Sequence, residues 1–193
     1  MLTEAVVRES LRIKLLAGLP SAEAVYEMWV PQSYERADIA LIGSTMDGFE
    51  IKTERDTLKR LPRQASAYAR LFDRCHIVLA DRHVKGAIDI LPAWWGVILI
   101  NGGMMPSFEC IREAGANSDV DPHTLVRLLW KDEVHAALCT LGAQPEAGAG
   151  RFRMWEELLS LVDIATLKTV VRQALVRRDP ALARISTKRF SVT

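Results

Sequence analysis

Asp38, Glu50 and Lys52 are charged residues set inside two short apolar runs, "RADIALIG" (36–43) and "FEIKTE" (49–54). Charge in such runs is costly unless it stays solvated or converges on a partner. Side chains alternate across a strand, so Glu50 and Lys52 share one face while Phe49 and Ile51 take the other. If the connecting "GSTMDG" closes a tight Asp-Gly hairpin, Asp38 lies beside them. Two carboxylates that close repel each other, and one keeps its proton unless a cation lies between them. A hard divalent ion, Mg²⁺ or Mn²⁺, answers that need. It takes one or two carboxylates, keeps several waters and leaves positions for phosphate oxygens. A lysine beside it can orient or deprotonate a water and offset developing charge. The bland counterpart is a set of cross-strand ion pairs on a wet sheet face.

The neighbours supply further groups. Glu4 falls in the first turn of a helix ahead of the strands, and Gln64 and Tyr68 stand four apart on one face of a helix behind them. Glu27, on an earlier strand, is a spare acid or the partner of an edge-strand salt bridge. Arg36, Arg55, Lys59, Arg60 and Arg63 surround the constellation, as phosphate contacts or as ordinary surface charge.

The elements that position these residues follow from periodicity. "TEAVVRESLRIKLLA" (3–17) has helical spacing with Thr3 as N-cap, ended by Gly18 and Pro20. Strands are expected at 24–30, 36–43, 49–54, 76–80 and 95–100. A helix carries Leu58, Leu61, Ala65, Tyr68 and Phe72 on one face, its main part starting at Pro62. The first hundred residues thus read α-β-β-β-α-β-β, a mixed α/β (α+β) sheet flanked by helices. "NGGMMPS" marks a break, placing a core at 1–105 and a helical extension at 106–193. In the extension "DPHTLVRLLWKDEVHAALCTLG" is a helix or helix pair, residues 153–178 form two more helices, and "ISTKRFSVT" is a loose tail.

At 193 residues the chain holds one well-buried core and a smaller appended unit. Its formal charge of +1 gives no global field for a polyanion, although Arg151–Thr193 carries nine Lys/Arg against four Asp/Glu. That excess suits either a nucleic-acid-facing end or the solvated faces of amphipathic helices. Cys75, Cys110 and Cys139 form no C-x-x-C pair, and Cys75 and Cys139 read as small core residues. His76, His83, His123 and His135 show no metal-ligand spacing, and Trp94-Trp95 reads as core beside a strand. "AWWGVILI" is too short to cross a bilayer, so a cytoplasmic protein with no membrane partner is expected.

The segments "RADIAL", "GFEIKTERDTLKRLPRQ" and "AYARLFDR" resemble the PD-(D/E)XK nuclease superfamily, in a small prokaryotic and phage-borne branch. The resemblance covers about residues 1–100. It implies a restriction-endonuclease-like αβββαβ core and an Mg²⁺- or Mn²⁺-dependent deoxyribonuclease acting on DNA. Asp38 and Glu50 fall on the metal acids, Lys52 on the catalytic lysine, and Gln64 and Tyr68 on the Gln-x-x-x-Tyr feature. Glu4 falls on the supporting helix acid, with Glu9 the second choice. Ala37 departs from the motif's proline. The alternative expectation is a non-catalytic DNA-binding or assembly module on the same fold. A homodimer through the C-terminal helices is compatible with either.

Overall fold

The computed structural model describes residues 3–103 and 105–178. The chain divides into two compact units, the first running to Val120 and the second from Asp121.

The first unit opens with α1 (Glu4–Gly18), whose N-terminus is capped by the Thr3 hydroxyl accepting from the Val6 N–H. Then come β1 (Glu23–Trp29), β2 (Arg36–Ile42), β3 (Met46–Lys52), α2 (Leu61–Ala69), β4 (Arg74–Ala80), α3 (Val84–Ile90), β5 (Gly96–Asn101) and β6 (Ser107–Arg112). The six strands form one mixed sheet in the order β1-β2-β3-β4-β5-β6. The β3–β4 and β4–β5 pairs are parallel and the other three antiparallel. The parallel pairs follow from the helices between them, since a parallel connection must cross back over a sheet face.

One face of the sheet is closed by α1. Val7 and Leu11 pack with Ile39, Leu41, Phe49, Ile51 and Val78 in one buried cluster. Alternation along β2 and β3 puts Ala40, Gly48, Glu50 and Lys52 on the opposite face, to which α2 brings Gln64 and Tyr68. Tyr68 in turn stacks on the fully buried Trp95 with ring centroids 5.8 Å apart.

Four details differ from the sequence reading. The Asp47-Gly48 pair lies within β3 and not in the turn, which is the shorter Gly43–Thr45 connection closed by Gly43 N–H to Thr45 C=O. Gly48 is needed there for a packing reason: a Cβ at this position would stand 2.5 Å from the Phe72 ring. The strand β6 continues the sheet beyond residue 105, because "SFECIR" pairs with β5 from Asn101↔Ser107 to Val97↔Arg112. The short α3, over "VKGAIDI", had no sequence expectation. Cys139 is exposed, the inward position on its helix being taken by Leu138, whereas Cys75 is buried.

The second unit is helical: α4 (Pro122–Val126), α5 (Lys131–Thr140), α6 (Arg151–Leu161) and α7 (Ile164–Val176). Asp121 caps α4 and Asp163 caps α7 through their carboxylates. Its core gathers Leu125, Val134, Leu138, Met154, Leu158, Leu167 and Val171, all buried. Arg178 binds both carboxylate oxygens of Glu133, at 2.7 and 2.6 Å, and stacks over Trp130 at 4.2 Å. The expected tail "ISTKRFSVT" lies outside the described residues. No described helix is long and apolar enough to cross a membrane.

Candidate metal centre

The β2–β3 register, Ile39↔Phe49 and Ala40↔Gly48, brings Asp38 alongside the Glu50 end of β3. Asp38 Oδ2 accepts the Ile51 N–H at 2.6 Å. Burial drives the Asp38 carboxyl up to about 8, and the negative charge of Glu50 adds to the rise; the Ile51 N–H and Lys52 oppose it. The charges that β2 and β3 carry therefore do meet, and they do so out of water.

On one side of Asp38 sits a buried hydrogen-bond network around Glu50. Glu50 and Lys52 are 2% and 7% exposed, which excludes a wet sheet face. Lys52 Nζ donates to Glu50 Oε1 at 2.5 Å, and Gln64 Nε2 donates to the same oxygen at 2.5 Å. The Tyr68 hydroxyl lies 2.5 Å from Glu50 Oε2 and 2.6 Å from the Arg36 carbonyl oxygen. Burial first, then the charge of Glu50, hold the Tyr68 phenol well above its ordinary value. Both Glu50 oxygens are thus occupied by protein donors.

On the other side stands a second group of acids. Glu4, Glu27 and Asp38 each offer a ligand oxygen, and these oxygens lie within 4.8 Å of one another. Arg8 bridges two of them, pairing with Glu4 and with Glu27 at 2.8 Å. Glu27 has φ +49°, a left-handed backbone rare for a residue with a Cβ. The strand β1 is paired with β2 on both sides of it, at Tyr26↔Ile39 and Met28↔Ala37. The distortion therefore falls at the one β1 residue that would face Asp38. Three carboxylates make an all-oxygen donor set, the chemistry a hard divalent cation selects, with half-exposed Glu4 and Glu27 leaving a path to solvent.

The expected site residues distribute as follows. Asp38, Glu50, Lys52, Gln64 and Tyr68 come together, with Glu50 at the hub. Of the three acids expected to hold a metal, Glu4 and Asp38 join Glu27, while Glu50 is engaged by Lys52, Gln64 and Tyr68. Glu9 is tied to Arg12 and to the Tyr26 hydroxyl. Among the basic residues, Arg60 and Arg63 both bind Glu35, and Arg36 lies 5.9 Å over the Trp29 ring. Glu35, fully buried, had no place in the sequence reading; in sequence it is one more acid in a turn.

Residues 9–189 match the family described as bacteriophage P4 protein cII. The chain belongs to the bacteriophage P4 cII family. It is 36% identical over 125 residues to protein cII of Enterobacteria phage P4, an alignment covering 64% of this chain and 47% of that protein. The chain therefore spans about half the length of the curated relative it matches. No solved structure matches it.

Membership of the cII family corrects the reading as a PD-(D/E)XK nuclease, and the expectation of a Mg²⁺-dependent deoxyribonuclease falls with it. Neither match points to such a nuclease, whereas the phage-borne character that the resemblance implied agrees with the family. The physical reason for the misreading is visible in the network. An acid-x-lysine pair on a strand satisfies a short motif, but here Lys52 and Glu50 are buried against each other and spent on one another.

Proposed function

We propose that this member of the cII family is a non-catalytic, cation-dependent DNA-binding module. A divalent ion, Mg²⁺ or Mn²⁺, is held by Asp38 with Glu4 and Glu27, and the ion presents its open positions to a DNA phosphate. The observation that carries the reading is the approach of three carboxylates to within 4.8 Å on three different elements, one of them set by a left-handed residue. Backbone strain of this kind costs on the order of 1–3 kcal/mol and persists only where the surroundings over-determine it. The charge balance supports it. Among the described residues Arg8 pairs with Glu4 and Glu27, and Lys52 pairs with Glu50, so two directly paired cations stand against the four carboxylates Glu4, Glu27, Asp38 and Glu50 in their ionised form.

The element order α1-β1-β2-β3-α2-β4 supports a finer reading of the fold, a restriction-endonuclease-like core used as a scaffold. Arg36, Arg60 and Arg63 lie on β2 and on α2 or its N-cap, the elements that also supply Asp38, Gln64 and Tyr68, which favours a phosphate-bearing partner.

The test is fluorescence anisotropy of labelled DNA with the full chain, in Mg²⁺ and in EDTA. The reading predicts affinity at least about tenfold weaker in EDTA, and an Asp38→Asn variant that no longer responds to Mg²⁺. Equal affinity in both buffers would overturn it.

A further inference from the structure

The turn between β1 and β2 presents a surface that the acidic cluster does not use. Tyr34 stands at its tip with 87% of its surface exposed, the largest value among the large hydrophobic residues of the described chain. An aromatic ring left this bare in a turn is not serving the core. Directly after it, Glu35 is completely buried, and its two carboxylate oxygens bind Arg60 at 2.7 Å and Arg63. The two guanidinium side chains are nonetheless about three-fifths exposed, at 60% and 63%. A buried carboxylate holding two outward arginines is an arrangement for keeping cations in place at a surface, since long side chains otherwise lose entropy when they are fixed on a ligand. Arg36, the residue after Glu35, lies over the Trp29 ring.

The chemistry of these groups narrows the partner. Two arginines against one carboxylate leave net positive charge, so the partner is anionic. The lone exposed ring, with no apolar ring of residues around it in this turn, does not make the packed apolar centre that a protein partner needs. Planar cations anchored on the residue that directly follows a bare aromatic ring match a strand whose phosphates lie on the arginines and whose unpaired base lies on the ring. In a duplex every base face is already covered by its neighbours, leaving Tyr34 nothing to stack on.

We infer that the Tyr34 turn, with Arg60 and Arg63 fixed by Glu35, is a platform for single-stranded DNA, Tyr34 stacking on an unpaired base. This rests on the DNA-binding reading above and names the form of DNA that is bound.

The experiment is anisotropy of a labelled mixed-sequence oligonucleotide with the full chain in Mg²⁺, single-stranded and as its duplex. The parental chain binds the single strand more tightly. Tyr34→Ala weakens that binding about tenfold, in the range a lost base stack gives. It leaves duplex affinity and Mn²⁺ binding by calorimetry unchanged, and Tyr34→Phe restores the single-strand affinity. Arg60→Gln with Arg63→Gln makes binding less steeply salt-dependent. Unchanged single-strand affinity in Tyr34→Ala, equal parental affinity for strand and duplex, or competition by polyglutamate as strong as by the oligonucleotide would each overturn the platform while leaving the cation-dependent module standing. Failure of the parental chain to bind any DNA would overturn both.

Discussion

Asp38 accepts the backbone N–H of Ile51 at 2.6 Å, so a carboxylate takes the place of a carbonyl where the β2–β3 ladder ends. The bond fixes Asp38 between two charged groups. Glu50 with its three donors lies on one side, and Glu4 and Glu27 with Arg8 lie on the other. A buried acid so placed is protonated at neutral pH unless a cation takes the proton's place.

That gives a pH dependence with a definite sign. The Asp38 pKa in the folded chain, about 8, lies above the ordinary aspartate value of about 4. The stabilisation it provides is complete below about pH 4 and is lost as pH rises through about 8. Urea unfolding in EDTA between pH 5 and 9 should show the metal-free parental chain losing stability relative to Asp38→Asn, by up to about 1.4 kcal/mol per pH unit. Parallel pH curves for the two proteins would show that Asp38 ionises normally.

The Glu50–Lys52 pair should behave as a buried ion pair does. Glu50→Gln or Lys52→Met alone leaves an uncompensated group in a site less than a tenth exposed, at a cost of about 3–5 kcal/mol. The double variant should lose less than the sum of the two, because each change removes the other's unpaired partner. Urea unfolding of the four proteins measures the coupling, and additive losses would contradict it.

Much of this frame was legible in the sequence. The β2 and β3 runs announce themselves by apolar density, and the alternation that puts Glu50 and Lys52 on one face needs only the strand period. Gln64 and Tyr68 were readable from helical spacing. Other features were not, for physical reasons. The strand β6 has only exposed and half-buried residues, so "SFECIR" carries no core pattern. Glu27 gains its role from a backbone angle of +49°, which no residue type in β1 signals. Glu35 looks like a turn acid until α2 folds its arginines back onto it. The nuclease reading went astray one level higher. Placement of three charges was inferred well, but placement does not fix chemistry, and family membership is written across the whole chain rather than in three positions.

Gly48 offers a test of the sheet itself. With Phe72 fully buried and its ring 2.5 Å from where a Cβ would stand, Gly48→Ala overpacks the α2 face and should cost about 1–3 kcal/mol by urea unfolding. Gly18, the last residue of α1, is the control, since a methyl group there would meet nothing within 4 Å. Gly18→Ala should be close to neutral by comparison. Equal stability of the two variants would contradict the packing.

The most direct measurement is calorimetric titration of the full chain with Mn²⁺ at pH 7.5, beside Asp38→Asn and Glu27→Gln. The account predicts one ion bound per parental chain and affinity weakened at least about tenfold in each variant. A parental chain that takes up no Mn²⁺, or variants that bind it as the parent does, would contradict the claim that Glu4, Glu27 and Asp38 converge on a cation.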